Sequence, residues 1–172
     1  MSTLKVNTIE ELDGSSFSRI LQVVTTKITA NSTYNGTSFD NISGFSAAIT
    51  PSSTSNKVLV IFNINAGSNN NGNRIKFRVA RTGEDNEFVG DASGSRSRSS
   101  AMFAVSSASD CRNTTISYIS TPSSTSSVTY QLQAELQLGG GSHVHFGASG
   151  TDSDSSIEGR TPQSIVLMEI AA

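Results

Sequence analysis

Apolar and polar positions alternate along this chain in short runs, and clusters of Ser, Thr, Asn and Gly separate the runs. That is the period-2 signature of half-buried strands, not the 3.6-residue period of helices. The cleanest run is Arg74 to Arg81 (RIKFRVAR), with Ile75, Phe77 and Val79 on one face and Arg74, Lys76 and Arg78 on the other. Val128 to Leu138 (VTYQLQAELQL) is longer and as regular. Its Val128, Tyr130, Leu132, Ala134, Leu136 and Leu138 stand opposite Thr129, Gln131, Gln133, Glu135 and Gln137. Lys57 to Asn65 (KVLVIFNIN) is apolar on both faces, Val58, Val60 and Phe62 on one and Leu59, Ile61 and Ile64 near the other, with a register break at Asn63. A strand of that kind belongs in the middle of a sheet.

Further strands are expected over Ile20 to Thr29, Met102 to Val105, Thr115 to Ile119, Val144 to Ala148 and Ser164 to Ala171. Phe45 to Ile49 is another, stopped by Pro51, which cannot donate to a ladder. Glu87 to Val89 reads as a short edge strand, and Asn31 to Asp40 as a turn-rich stretch anchored by Tyr34 and Phe39. About nine or ten strands at this spacing, with no helix of eight residues or more, define an all-β protein. The expected architecture is an antiparallel two-sheet β-sandwich, with the jelly roll as its leading topology and an extended N-terminal arm.

The arm is residues 1–17, and the sandwich domain is residues 18–172. Leu4 and Val6 point to one side of an extended segment, Lys5 and Asn7 to the other, and Asp13-Gly14-Ser15-Ser16 separates the segment from the strands that follow. Fully extended, such an arm reaches roughly 55 Å at ~3.3 Å per residue. A domain of this size has a radius of gyration of about 15 Å. Leu4, Val6 and Ile9 are therefore expected to dock on a neighbouring subunit or on a larger particle.

Composition narrows the class. Hydrophobic residues make up 35% and charged residues 15%, and 49 Ser and Thr with 14 Gly fill the gap. Those are the residues of neutral polar strands and tight turns. The apolar residues sit in compact runs and are not evenly diluted, which argues for a folded domain with a lean core. A net charge of −2 argues against non-specific nucleic-acid binding. No apolar run approaches the length of a membrane span, and the N-terminus has no signal-peptide core. Cys111 has no intramolecular disulfide partner and is expected to be buried or inert. The Asn-X-Ser/Thr triplets at Asn31, Asn35, Asn41 and Asn113 read as polar turns in a protein made in a cytoplasm.

Several segments resemble a known family. The start STLKVNTI, the middle SGFSAAITPSSTSNKVLVIFNIN, the stretch FVGDASGSRSR and the ending GRTPQSIVLMEI are similar to small, tail-fibre-like virion structural proteins of tailed phages, of the type common in phages of cyanobacteria and other aquatic bacteria. The resemblance implies a virion component made in the host bacterial cytoplasm. It also implies a homotrimer whose N-terminal segment docks onto other virion proteins of the tail or capsid, while the sandwich is displayed for attachment to host-surface glycans. Capsid decoration without a host ligand is the alternative. The family supplies no catalytic residue and no cofactor.

Candidate chemistry is sparse. Arg74, Lys76 and Arg78 form a basic strand face, with Arg96, Arg98 and Arg112 as possible neighbours. This face could meet acidic glycans or a partner subunit, or pair locally with Glu84, Asp85, Glu87 and Asp91. His143 and His145 flank Val144, so both imidazoles emerge on one face ~7 Å apart. Around a threefold axis they could form a metal cage, although two surface histidines after a glycine turn are the simpler reading. Asp152, Asp154, Ser156 and Glu158 imitate a Ca2+ loop but have Ile157 where the sixth-position glycine belongs. Glu135 and Glu169 would have to converge to serve a glycosidase. Asn65 to Gly72 lacks the Gly-Lys-Ser/Thr ending of a phosphate loop. A non-enzymatic protein is expected. Host contacts would then fall to loops such as Asn31 to Asp40, Asn69 to Asn73 and Ala92 to Ser100.

Overall fold

A computed structural model describes residues 19–138 and 141–172. The arm residues Leu4, Val6 and Ile9 lie outside the described residues. Ten strands follow one another: β1 (Ile20–Ile28), β2 (Ser32–Tyr34), β3 (Asp40–Ile49), β4 (Lys57–Ser68), β5 (Arg74–Arg81), β6 (Ala101–Ala104), β7 (Arg112–Ser120), β8 (Val128–Leu136), β9 (Val144–Phe146) and β10 (Gln163–Ile170). They form two antiparallel sheets. One runs β1-β10-β4-β9-β2 with β7 also paired to β4, and the other runs β3-β8-β5-β6. The pairs β1–β10, β3–β8, β4–β7 and β5–β6 nest outermost to innermost along the chain. That nesting is compatible with a jelly roll, and the expected antiparallel two-sheet sandwich is the observed fold.

Inward-facing residues of both sheets interdigitate in one core. Val58, Val60, Phe62 and Ile64 of β4 meet Ile75, Phe77 and Val79 of β5 and Tyr130, Leu132 and Leu136 of β8, all buried. Phe146 links the layers, its ring centroid 5.0 Å from that of Phe45 and 6.2 Å from that of Phe77. Burying each such side chain contributes about 1.5–3 kcal/mol.

The structure corrects four local expectations. There is no register break at Asn63: β4 pairs without a shift from Val58 to Ala66, and Ile64 lies inside with Phe62. A strand apolar on both faces carries no parity signal, so a polar residue in it imitates a break in register. Glu87 to Val89 is not a strand. Glu87 instead accepts a hydrogen bond from Ser120 Oγ (3.1 Å) and pairs with Arg81, and Phe88 stacks on Tyr118. β3 starts at Asp40, ahead of Phe45, because a bulge between Asn41 and Ser46 resets its parity and lets both Ile42 and Phe45 face inward. Gly44, at φ +81°, makes that bulge, since left-handed backbone is open to glycine at little cost. Cys111 is exposed, not buried.

Candidate functional site

The outer face of the β3-β8-β5-β6 sheet carries the basic strand. Alternation in β5 sends Arg74, Lys76 and Arg78 outward because Ile75, Phe77 and Val79 fill the core. Register then places Lys76 opposite Glu135 and Arg78 opposite Gln133 on β8. Lys76 Nζ pairs with Glu135 and also bonds Ser97 Oγ at 3.1 Å. Arg78 Nε donates to Gln133 Oε1 at 2.7 Å, its guanidinium sits 4.5 Å above the Phe39 ring, and Asp85 is 3.8 Å away. Arg74 donates to Gln137 Oε1 at 2.6 Å. The Lys76 and Arg78 side chains keep only 19% and 16% of their exposure. Each is sheltered in a cross-strand pair and not held out on a bare charged surface.

The acids expected to neutralise this row contribute little to it. Asp85 makes a long, largely exposed ion pair with Arg78, and Glu87 serves Arg81. The main carboxylate is Glu135, one strand over, an assignment that needs the sheet register. Arg96 bonds Ser93 Oγ (2.5 Å) and Arg98 bonds the Gly90 carbonyl (2.7 Å), so both brace their own loop. Arg112 belongs to the other sheet, where it meets Asp110 at 3.2 Å, and does not join the basic row.

At one end of the sandwich, polar loops come together. β2 pairs with β9, which sets Thr33 opposite His145. Asn69 Oδ1 accepts from His143 N–H (2.8 Å), and Asn69 Nδ2 donates to the Gly141 carbonyl (3.2 Å). Tyr34 Oη donates to the Ser38 carbonyl (2.5 Å) and lies 2.8 Å from Asp40; burial first, and then the bond to Asp40, raise the phenol well above its ordinary range. The Asn31 to Asp40 and Asn69 to Asn73 loops thus converge around residues 141–143. A shallow depression of about 190 Å3 opens there between Thr33, Tyr34, Asn35 and His143. The Ala92 to Ser100 loop lies elsewhere, against the basic row through Ser97.

His143 and His145 do share one side, their ring centroids 5.1 Å apart. Both His145 nitrogens are buried without a hydrogen-bond partner. Burial, with a smaller push from His143, lowers the His145 pKa, favouring the neutral ring. Among the described residues no group of three or more His, Cys, Asp or Glu could hold a metal ion.

The acidic loop is tied down. Asp152 accepts from Asn31 Nδ2 (2.7 Å) and Arg160 (2.9 Å), and Glu158 from Ser149 Oγ (2.5 Å) and Thr151 Oγ1 (2.8 Å). Those two hydroxyls hold the Glu158 pKa below its ordinary value. A depression of about 300 Å3 remains beside Asp152, Asp154, Glu158 and Arg160.

Glu135 and Glu169 do not converge. Glu135 is on the outer face of one sheet, while Glu169 is buried in the other among donors from Gln22, Ser52 and Asn56. That cluster was not visible in the sequence, because its members lie up to 147 positions apart.

No family model matches this chain, and no curated protein matches it. Among solved structures, a chain in a structure of infectious bursal disease virus, Gt strain, is similar over 98% of this chain and 43% of its own length, at 13% identity and a TM-score of 0.44. The present chain thus spans less than half of that one. Among the described residues no helix is long and apolar enough to cross a membrane.

Proposed function

We propose that this protein is a structural component of a phage virion, a tail-fibre-like appendage that docks by its N-terminal arm and displays a homotrimeric sandwich toward the host surface. The support begins with the segments STLKVNTI and GRTPQSIVLMEI and their likeness to such proteins. One structural observation carries the reading further. The central lysine and the main strand and loop carboxylates are paired internally: Lys76 with Glu135, Glu158 with two hydroxyls, Glu169 with three neighbours. What is left to offer is neutral polar loops at one end and an apolar outer sheet face. That favours contact over catalysis, so no enzymatic step, cofactor, nucleic-acid binding or membrane insertion is assigned. Host glycans would meet the loops around Tyr34, Asn69 and His143, because the basic row is sheltered.

The test is incorporation and stoichiometry. Deleting Met1 to Ser16 should leave a soluble β-rich domain of similar thermal stability that no longer enters particles. Quantitative mass spectrometry of intact virions should find a few to tens of copies. Hundreds of copies would instead support capsid decoration, and normal incorporation of the truncated protein would remove the docking role of Leu4, Val6 and Ile9.

A further inference from the structure

We infer that copies of this chain join edge to edge, β7 of one copy against β1 of the next, so that the β1-β10-β4-β7 sheet continues from copy to copy. This rests on the self-association proposed above, though not on where the protein resides. An unpaired strand edge exposes a row of backbone donors and acceptors, and soluble proteins blunt such edges. One sheet here does so: β3 is broken by its bulge at Gly44, and β6 is four residues long. The other sheet does not. Among the described residues β1 pairs only with β10 and β7 only with β4. Each is nine residues long, without proline and with a single charged residue, Lys27 or Arg112. The one irregularity of β1 lies at its start, between Ile20 and Gln22.

Direction and chemistry both fit. The sheet alternates antiparallel from β1 through β10 and β4 to β7, so β1 of a second copy laid beside β7 keeps the alternation. The outward rows are Val23–Met168–Leu59–Ile119, then Thr25–Val166–Ile61–Ser117, then Lys27–Ser164–Asn63–Thr115. Continuing each row brings Ile119 against the next copy's Val23, Ser117 against its Thr25 and Thr115 against its Lys27. These are an aliphatic pair, a hydroxyl pair and an uncharged neighbour for the lysine, the kinds of cross-strand pair that stabilise a sheet. The rows carry no carboxylate, and no like charges meet. Val23 and Ile119 are 51% and 46% exposed in the single chain, and the junction covers both. A head-to-tail contact of this kind closes into a ring when its rotation permits, and the proposed homotrimer is a ring of three.

Opposed residues of antiparallel strands have Cα atoms about 4.5–5.5 Å apart, within reach of a disulfide. Within one copy Thr25 and Ser117 are separated by two intervening strands, roughly 14 Å across. In the full chain carrying Cys111→Ser, the pair Thr25→Cys and Ser117→Cys should therefore oxidise only between copies, giving covalent trimers that reductant dissolves. Separately, Ile119→Lys should weaken self-association by about tenfold or more with an unchanged circular-dichroism spectrum. If the unmodified protein assembles but the Thr25–Ser117 disulfide does not form, the copies meet elsewhere and the edge pairing is overturned. It is equally overturned if Ile119→Lys assembles normally. If the unmodified protein sediments at about 18 kDa at micromolar concentration, the proposed self-association falls with it.

Discussion

Asn56 Nδ2 donates a 2.6 Å hydrogen bond to Glu169 Oε1, inside the sandwich and across 113 positions of sequence. The same carboxylate accepts from the Ser52 amide (2.6 Å), Ser52 Oγ (2.8 Å) and Gln22 Nε2 (2.6 Å). One side chain of β10 thereby fastens β1 and the β3–β4 turn, and Asn56 Oδ1 takes the Ala172 amide at 3.3 Å. A buried charge is tolerable only with such saturation.

This cluster makes stability acid-sensitive. Burial alone would raise the Glu169 pKa, but the donors from Asn56, Gln22 and Ser52 outweigh it and bring the value down to about 2 from an ordinary 4.5. A carboxyl depressed on folding stabilises the native state above its unfolded pKa and loses that contribution as pH falls through the folded one. Melting temperature should therefore fall between about pH 4.5 and pH 2. Glu169→Gln keeps the shape but turns an amide donor toward Asn56 and Gln22, and should cost about 2–4 kcal/mol at neutral pH. In that variant the decline between pH 4.5 and 2 should be shallower. Thermal melts across pH on both proteins check this, and an equally steep decline in the variant would exclude Glu169 as its cause.

Tight backbone crossing gives a second expectation. A Cβ at Gly150 would lie 1.9 Å from the Ser68 carbonyl oxygen, at the place where Thr151 N–H bonds the Ala108 carbonyl at 3.0 Å. No side-chain rotation relieves a clash with backbone. Gly150→Ala should destabilise by about 1–3 kcal/mol, the usual cost of overpacking, and should loosen the loop that carries Asp152 and Glu158. Gly159→Ala, where an added Cβ meets nothing, is the control and should melt like the parent. Urea titrations of the two variants decide it.

These clusters show what a linear reading can and cannot reach. Ile75, Phe77 and Val79 were legible because charged residues alternate with them, so parity is unambiguous. The inward side of Ile64 is not legible, because β4 is apolar on both faces and Asn63 imitates a break in parity. Phe45 was legible, but Ile42 was not, since a bulge at Gly44 has no period. The outward side of Arg74, Lys76 and Arg78 is legible from alternation, whereas their partners Gln137, Glu135 and Gln133 depend on register with a strand some 55 residues away. Glu169 was the least legible. In SIVLMEIA it looks like an incidental strand carboxylate, and only folding brings Gln22, Ser52 and Asn56 to it.

The basic row supplies the last prediction. Arg78 lies over Phe39, bonds Gln133 and keeps little exposure. Gln133 in turn donates to Asn41 Oδ1 at 3.0 Å, so the guanidinium closes a chain of side chains running from β5 through β8 to β3. Arg78→Glu removes the cation–π contact and sets a carboxylate near Asp85, which should cost about 1–2 kcal/mol, with much of the repulsion screened at ~8 Å in physiological salt. Arg78→Gln should cost less, because it loses the ring contact without adding repulsion. If the row is only a sheet-stabilising ladder, phage carrying either variant should adsorb to cells at the parental rate at both low and moderate salt. Should adsorption instead fall at low salt while the melting temperature is unchanged, Arg78 would be a glycan contact, and the host-facing surface would move from the Tyr34–Asn69–His143 end to the outer face of β5 and β8.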